Sequence, residues 1–115
     1  MARRLTTNQQ IDAYLRLVTH AAIHHAPTVA TVIPDLAHEV RGRLTLGVDD
    51  VSVYERLGNL GRTCWVTIGG RRWAFSYDYS TGKIDLRRDS LQGAVVFQVD
   101  NSTTMAAIRL QAARL

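Results

Sequence analysis

Between Thr63 and Asp78 the chain alternates apolar and polar residues on both sides of Gly69-Gly70. A period of two is the pattern of a half-buried strand. Two adjacent glycines supply the positive φ values that a two-residue hairpin turn requires. A loop of those two residues fixes the register. Ile68 faces Arg71, Thr67 faces Arg72, Val66 faces Trp73, Trp65 faces Ala74, and Cys64 faces Phe75. A second hairpin signal, Tyr79-Ser80-Thr81-Gly82, pairs Asp78 with Lys83, Tyr77 with Ile84 and Phe75 with Leu86. Both hairpins then agree on one apolar face: Cys64, Val66, Ile68, Trp73, Phe75, Tyr77, Ile84 and Leu86. A slip of one residue would turn the whole set to solvent, so the register is strongly specified, and helices have to cover the face.

The remaining elements follow from period and punctuation. Thr7 suits the N-cap of a helix starting at Asn8, with Ile11, Tyr14, Leu15, Val18, Ala21, Ala22 and His25 along its apolar stripe. Pro27 ends it. The segment 28–33 is β-branched and reads equally as a helical turn or an extended connector. Pro34 and Asp35 suit the first turn of a second helix, with Leu36, Ala37, Val40 and Leu44 inward. Strands are expected over 51–56, joined to the next by a Gly58–Gly61 turn, and over 94–99. A last helix is expected to be capped by Asn101 or Ser102, with Met105, Ile108 and Ala112 inward. The expectation is an α+β fold in one domain, 1–115. It has two N-terminal helices, an antiparallel meander of about five strands and one C-terminal helix, with the helices on one sheet face.

The totals exclude several classes. A chain of 115 residues supports one core without disulfides or metals, and its single cysteine, Cys64, permits no intrachain disulfide. This fits a reducing compartment, and no apolar run reaches signal-peptide or membrane-span length, so a cytoplasmic protein with no membrane partner is expected. Of the fourteen basic residues all but Lys83 are Arg, and the net charge is only +4 with acids interspersed. That is too small an excess to mark a nucleic-acid binder by itself.

The second sheet face carries Thr63, Trp65, Thr67, Arg72, Ala74, Ser76, Asp78, Lys83, Asp85 and Arg87. With all helices on the apolar side, this face looks outward. Trp65, Thr67, Arg72, Ala74, Lys83 and Arg87 are the candidate interface or ligand residues. Trp and Arg dominate protein–protein hot spots, and the same pair stacks bases and binds phosphate on single-stranded nucleic-acid platforms. Asp78 and Asp85 interrupt a purely basic track. The leading expectation is an interaction protein that forms a homodimer, with an unknown protein partner or nucleic acid as other occupants. The alternative to any interface is a Trp covered by Arg stems.

No residue pattern specifies catalysis, a metal or a cofactor. His20 and His24 share a helix face at i, i+4, but no Glu lies between them and a third ligand is missing, so a solvated polar face is expected. His25 suits a helix-terminal core or capping histidine. Cys64 points into the core, where a thiol is inert. The Gly58–Gly61 and Gly69-Gly70 pieces lack a P-loop Lys and read as turns. The layout of helices before an antiparallel sheet is similar to small ribonucleases of the barnase and RelE type, with Glu55, Arg72, Lys83 and Arg87 on the sheet. That is a likeness of layout, and no strand carries a His. A pocket between the helices and the sheet for a small apolar ligand is compatible with the pattern.

The hairpin region from Trp65 to Arg87, with Gly69-Gly70 and Ser80-Thr81-Gly82 as its turns, resembles small proteins encoded by integron mobile gene cassettes. The resemblance implies a compact α+β bacterial protein, often self-associating, with no assigned activity and no catalytic residue to carry over.

Overall fold

The computed structural model describes residues 2–56 and 59–115, with the backbone alone for residue 2 and for residues 54–56 and 59–62. The elements run β1 (Ala2–Arg4), α1 (Asn8–His25), α2 (Pro27–Ala30), α3 (Val32–Arg41), β2 (Asp50–Arg56), β3 (Asn59–Ile68), β4 (Arg71–Asp78), β5 (Lys83–Arg88), β6 (Val95–Val99) and α4 (Met105–Ala112). The six strands form one antiparallel meander in chain order. The fold is α+β.

Both hairpins take the expected register. Trp65 pairs with Ala74 and Cys64 with Phe75 across β3–β4. Phe75 pairs with Leu86 and Asp78 with Lys83 across β4–β5. Gly69 and Gly70 sit at φ +57° and +82°, the left-handed backbone that only glycine adopts at low cost. In the second turn, hydrogen bonds from the Ser80 hydroxyl and backbone N–H hold the Asp78 carboxyl below its usual range.

Three expectations need correction. Among the described residues there are six strands: Ala2–Arg4 adds an edge strand to β2, too short to show any period. The segment 28–33, which read equally as either, takes the helical form, giving α2 and a start for α3 at Val32, and Pro34 lies in the first turn of α3 as expected. Asn59, Leu60 and Gly61, expected in a Gly58–Gly61 turn, belong to β3, with Asn59 paired to Arg56; Gly58 lies outside the described residues. Finally, Thr104 caps α4, accepting from Ala107 N at 3.2 Å.

Asn101, read as that cap, does another job. Its Oδ1 accepts from Thr31 N and Val32 N, each at 3.0 Å, and its Nδ2 donates to Pro27 O at 2.8 Å. One amide from the β6–α4 connection thus satisfies the orphan N–H groups at the start of α3. Thr7 does cap α1, with Gln10 completing a capping box.

All helices lie on the apolar sheet face, where two buried clusters form. One joins Ile11 and Tyr14 of α1, Val40 of α3 and Leu115 to Val51, Val53, Val66, Ile68, Trp73 and Leu86. The other joins Ala22, Val29, Val32, Ile33 and Ile108 to Ile84 and Val99. Val18, Leu36 and Phe75 border both clusters and are only partly buried. Between the clusters the core is open.

Candidate functional site

The opening is a cavity of about 490 Å³ between the helical layer and the inner sheet face. Its floor is Val51, Cys64, Val66 and Phe75 of the sheet, and its walls are Tyr14 and Val18 of α1 with Leu36 and Val40 of α3. The lip combines Leu17, Ala21 and His25, spaced i, i+4, i+8 along α1, with Tyr77 and Tyr79 at the end of β4. Small side chains leave the gap: Ala21, Ala22 and Ala37 face it from the helices and Cys64 from the sheet.

The size excludes a simple packing defect. A sealed void costs about 24 cal/mol per Å³, on the order of 10 kcal/mol here, against a total stability of about 5–15 kcal/mol for a domain. The cavity is instead open. Leu17 and Tyr79 on its lip are 59% and 61% exposed. Cys64 lines the cavity and is half-buried.

Two polar groups meet at the floor. The Tyr14 hydroxyl and the Cys64 thiol are neighbours in the cavity lining. Burial, with the Cys64 sulfur beside it, raises Tyr14 far above the ordinary phenol range. Burial pushes the Cys64 thiol up to about 12, the neighbouring Tyr14 hydroxyl opposing this only in part. Both groups are neutral at physiological pH, so the floor carries no charge. At the lip, the Tyr77 and Tyr79 rings meet edge to face with centroids 4.8 Å apart. Thr28 of α2 anchors this end. Its hydroxyl donates to Gly82 O at 2.6 Å and lies 3.3 Å from the Tyr77 hydroxyl.

The expectation of a sealed, inert Cys64 is therefore corrected in one respect: the thiol faces the core side but borders an accessible cavity. His25 is likewise not a core residue. It is exposed at the end of α1, on the lip. His20 and His24 are exposed as expected, with ring centroids 5.3 Å apart.

The outer face brings the six candidate residues onto one surface. Trp65, Ala74 and Arg87 form a cross-strand row that continues to Ser52 and Val95, with Thr67 opposite Arg72 in the next row and Lys83 opposite Asp78. Trp65 is half-buried, and the Arg72 guanidinium sits 5.4 Å above its ring centroid. Ala74 cannot be a contact residue: it is 0% exposed, a methyl between two of the largest side chains on the face. Asp85 is also not outward. It is 2% exposed, accepting from Gln98 Nε2 at 2.8 Å and from Arg87 at 3.4 Å. Arg87 further donates to Gly93 O at 2.9 Å.

These contacts work against two earlier readings. A base stacking on Trp65 would need the ring face that Arg72 covers, and Arg87 is already neutralised by Asp85. For the ribonuclease layout, Arg72, Lys83 and Arg87 share the face, but all four histidines lie on α1 and α3, and the Glu55 side chain lies outside the described residues.

The family model described as integron cassette protein VCH_CASS1 chain matches residues 11–109. The chain belongs to this family of integron cassette proteins. The family match runs from α1 into α4 and includes every residue that lines the cavity. No curated protein matches the chain. Among the described residues, no helix is long and apolar enough to cross a membrane.

The cavity was the part of the site that sequence reasoning named only as a possibility. The signal available was the run of alanines on the inward stripe of α1 and at Ala37, facing aromatics on the sheet.

Proposed function

We propose that this integron cassette protein binds a small, mostly apolar organic molecule in the cavity between α1, α3 and the sheet, and acts by binding and not by catalysis. The observation that carries the reading is the open apolar cavity of about 490 Å³. Ligand sites of small molecules occupy roughly 300–1,000 Å³, lined by apolar and aromatic side chains with a few polar groups. A ligand there would cover Val18, Leu36 and Phe75, which the protein alone leaves partly exposed.

The test is thermal unfolding of wild type and Ala21→Trp against a panel of naphthalene, biphenyl and decanol. Ala21 is exposed on the lip, so the indole fills the mouth without disturbing either cluster. A ligand at a hundred times its Kd stabilises by about 2.7 kcal/mol. Wild type should gain several degrees and the variant should not. Equal shifts in both proteins, or none in wild type, would contradict the reading.

A second reading concerns the outer face. Trp65 at its centre, partly exposed under Arg72, supports self-association through Trp65, Thr67, Arg72 and the stems of Lys83 and Arg87. Light scattering should give a dimer for wild type and a monomer for Trp65→Ala. A wild-type monomer at high micromolar concentration would rule the dimer out.

A further inference from the structure

The charges around the cavity narrow its ligand. Among the described residues that line it, none is acidic. Arg41 is the one permanently charged side chain, and it is committed elsewhere: its guanidinium pairs with Asp12, and its Nη2 donates to Asn8 Oδ1 at 2.8 Å. His25 stands on the exposed lip. Tyr14 and Cys64 bring a phenol and a thiol, both held neutral by burial, and Ser76 adds an uncharged hydroxyl residue to the lining.

Resting on the cavity reading above, we infer that the ligand is a neutral, ring-bearing hydrocarbon-like molecule of two to three rings, enclosed with no ionised group inside. Its size follows from the volume. A cavity of about 150 Å³ takes benzene, and this one holds about 490 Å³, roughly three times as much. Its neutrality follows from the lining. An ammonium carried to the floor would lose its hydration with no carboxylate to replace it, and a carboxylate would find no uncommitted cation. The ring of Tyr79, 61% exposed, gives a cation only a weak contact. The Tyr77 and Tyr79 rings, set edge to face, offer an aromatic ligand the geometry in which rings pair.

The experiment is isothermal titration of the full chain at about pH 7 with three probes of one shape: 2-naphthol, 2-naphthoate and 2-naphthylmethylammonium. Each is repeated on Ala21→Trp. The neutral probe should bind at least about tenfold tighter than either ion, and the variant should lose it. If an ion binds wild type as tightly as 2-naphthol and Ala21→Trp abolishes that binding, the cavity reading stands and the ligand class inferred here is wrong. If no probe binds wild type, or the variant binds as well, both fall together.

Discussion

The two faces of the sheet invert what their residue types suggest. The inner face is apolar throughout and should be dry, yet its middle opens into the cavity at Cys64 and Phe75, which stay only partly buried. The outer face is polar and should be wet, yet Ala74 and Asp85 at its centre have almost no exposed surface. The difference comes from what lies above each. Rigid helices cover the inner face, and where their side chains are alanines they cannot reach the sheet. Long flexible side chains cover the outer face. Arg87 and Gln98 fold down onto Asp85, and Arg72 lies over Trp65. Covering a sheet therefore depends on the reach of the side chains above it as much as on their polarity.

Substitutions can break this contrast at points of decreasing cost. The largest effect should come from the closed part of the inner face. Ile108→Ala, at a residue 1% exposed, should lose about 2–5 kcal/mol in urea unfolding, whereas Val18→Ala beside the cavity should lose under about 1 kcal/mol, because its neighbours already face solvent. A comparable loss at both positions would mean the cavity is closed in solution. On the outer face, Asp85→Asn leaves the partly buried Arg87 without its carboxylate and should cost about 1–3 kcal/mol; no change would mean the pair is not shielded.

Alkaline pH probes the cavity floor. Tyr14 and Cys64 release their protons at higher pH in the folded chain than the 10.0 and 9.0 of free groups. The unfolded chain therefore loses those protons first. Stability is full below about pH 9 and falls as pH rises, by at most about 1.4 kcal/mol per pH unit per group, and by less for Cys64, whose thiol borders the water-accessible cavity. Tyr14→Phe should flatten that fall in denaturant titrations between pH 9 and 11; an unchanged slope would remove Tyr14 from the account. The smallest effect on stability is expected at Trp65→Ala, about 1 kcal/mol or less, with its main consequence in the mass measured by light scattering.

Much of this was legible in the sequence, and the legible parts share a cause. Gly69-Gly70 and the alternation around it determine register through local chemistry, so both hairpins and the membership of each face followed directly. What the sequence concealed depends on distance between elements. Ala2–Arg4 is a strand only because β2 lies beside it. Asn101 looks like a cap for the helix after it, but its amide reaches back to α3. The alternation assigns Asp85 to the outer face, yet cannot tell that Gln98 and Arg87 close over it. The cavity is the clearest case, since a period identifies which residues face inward but not whether opposing side chains touch.

Alkylation of Cys64 tests the open cavity most directly. The folded protein is treated with a small apolar iodoacetamide at pH 9 and 10, wild type beside Ala21→Trp. If the cavity is open, wild type reacts without unfolding, and its rate climbs about tenfold between the two pH values, as expected for a thiol whose pKa lies near 12. Ala21→Trp should slow it sharply. A rate that is the same in both proteins, and that tracks their unfolding rates, would show that Cys64 is reached only through the unfolded chain, and that the space between helices and sheet is not a binding cavity.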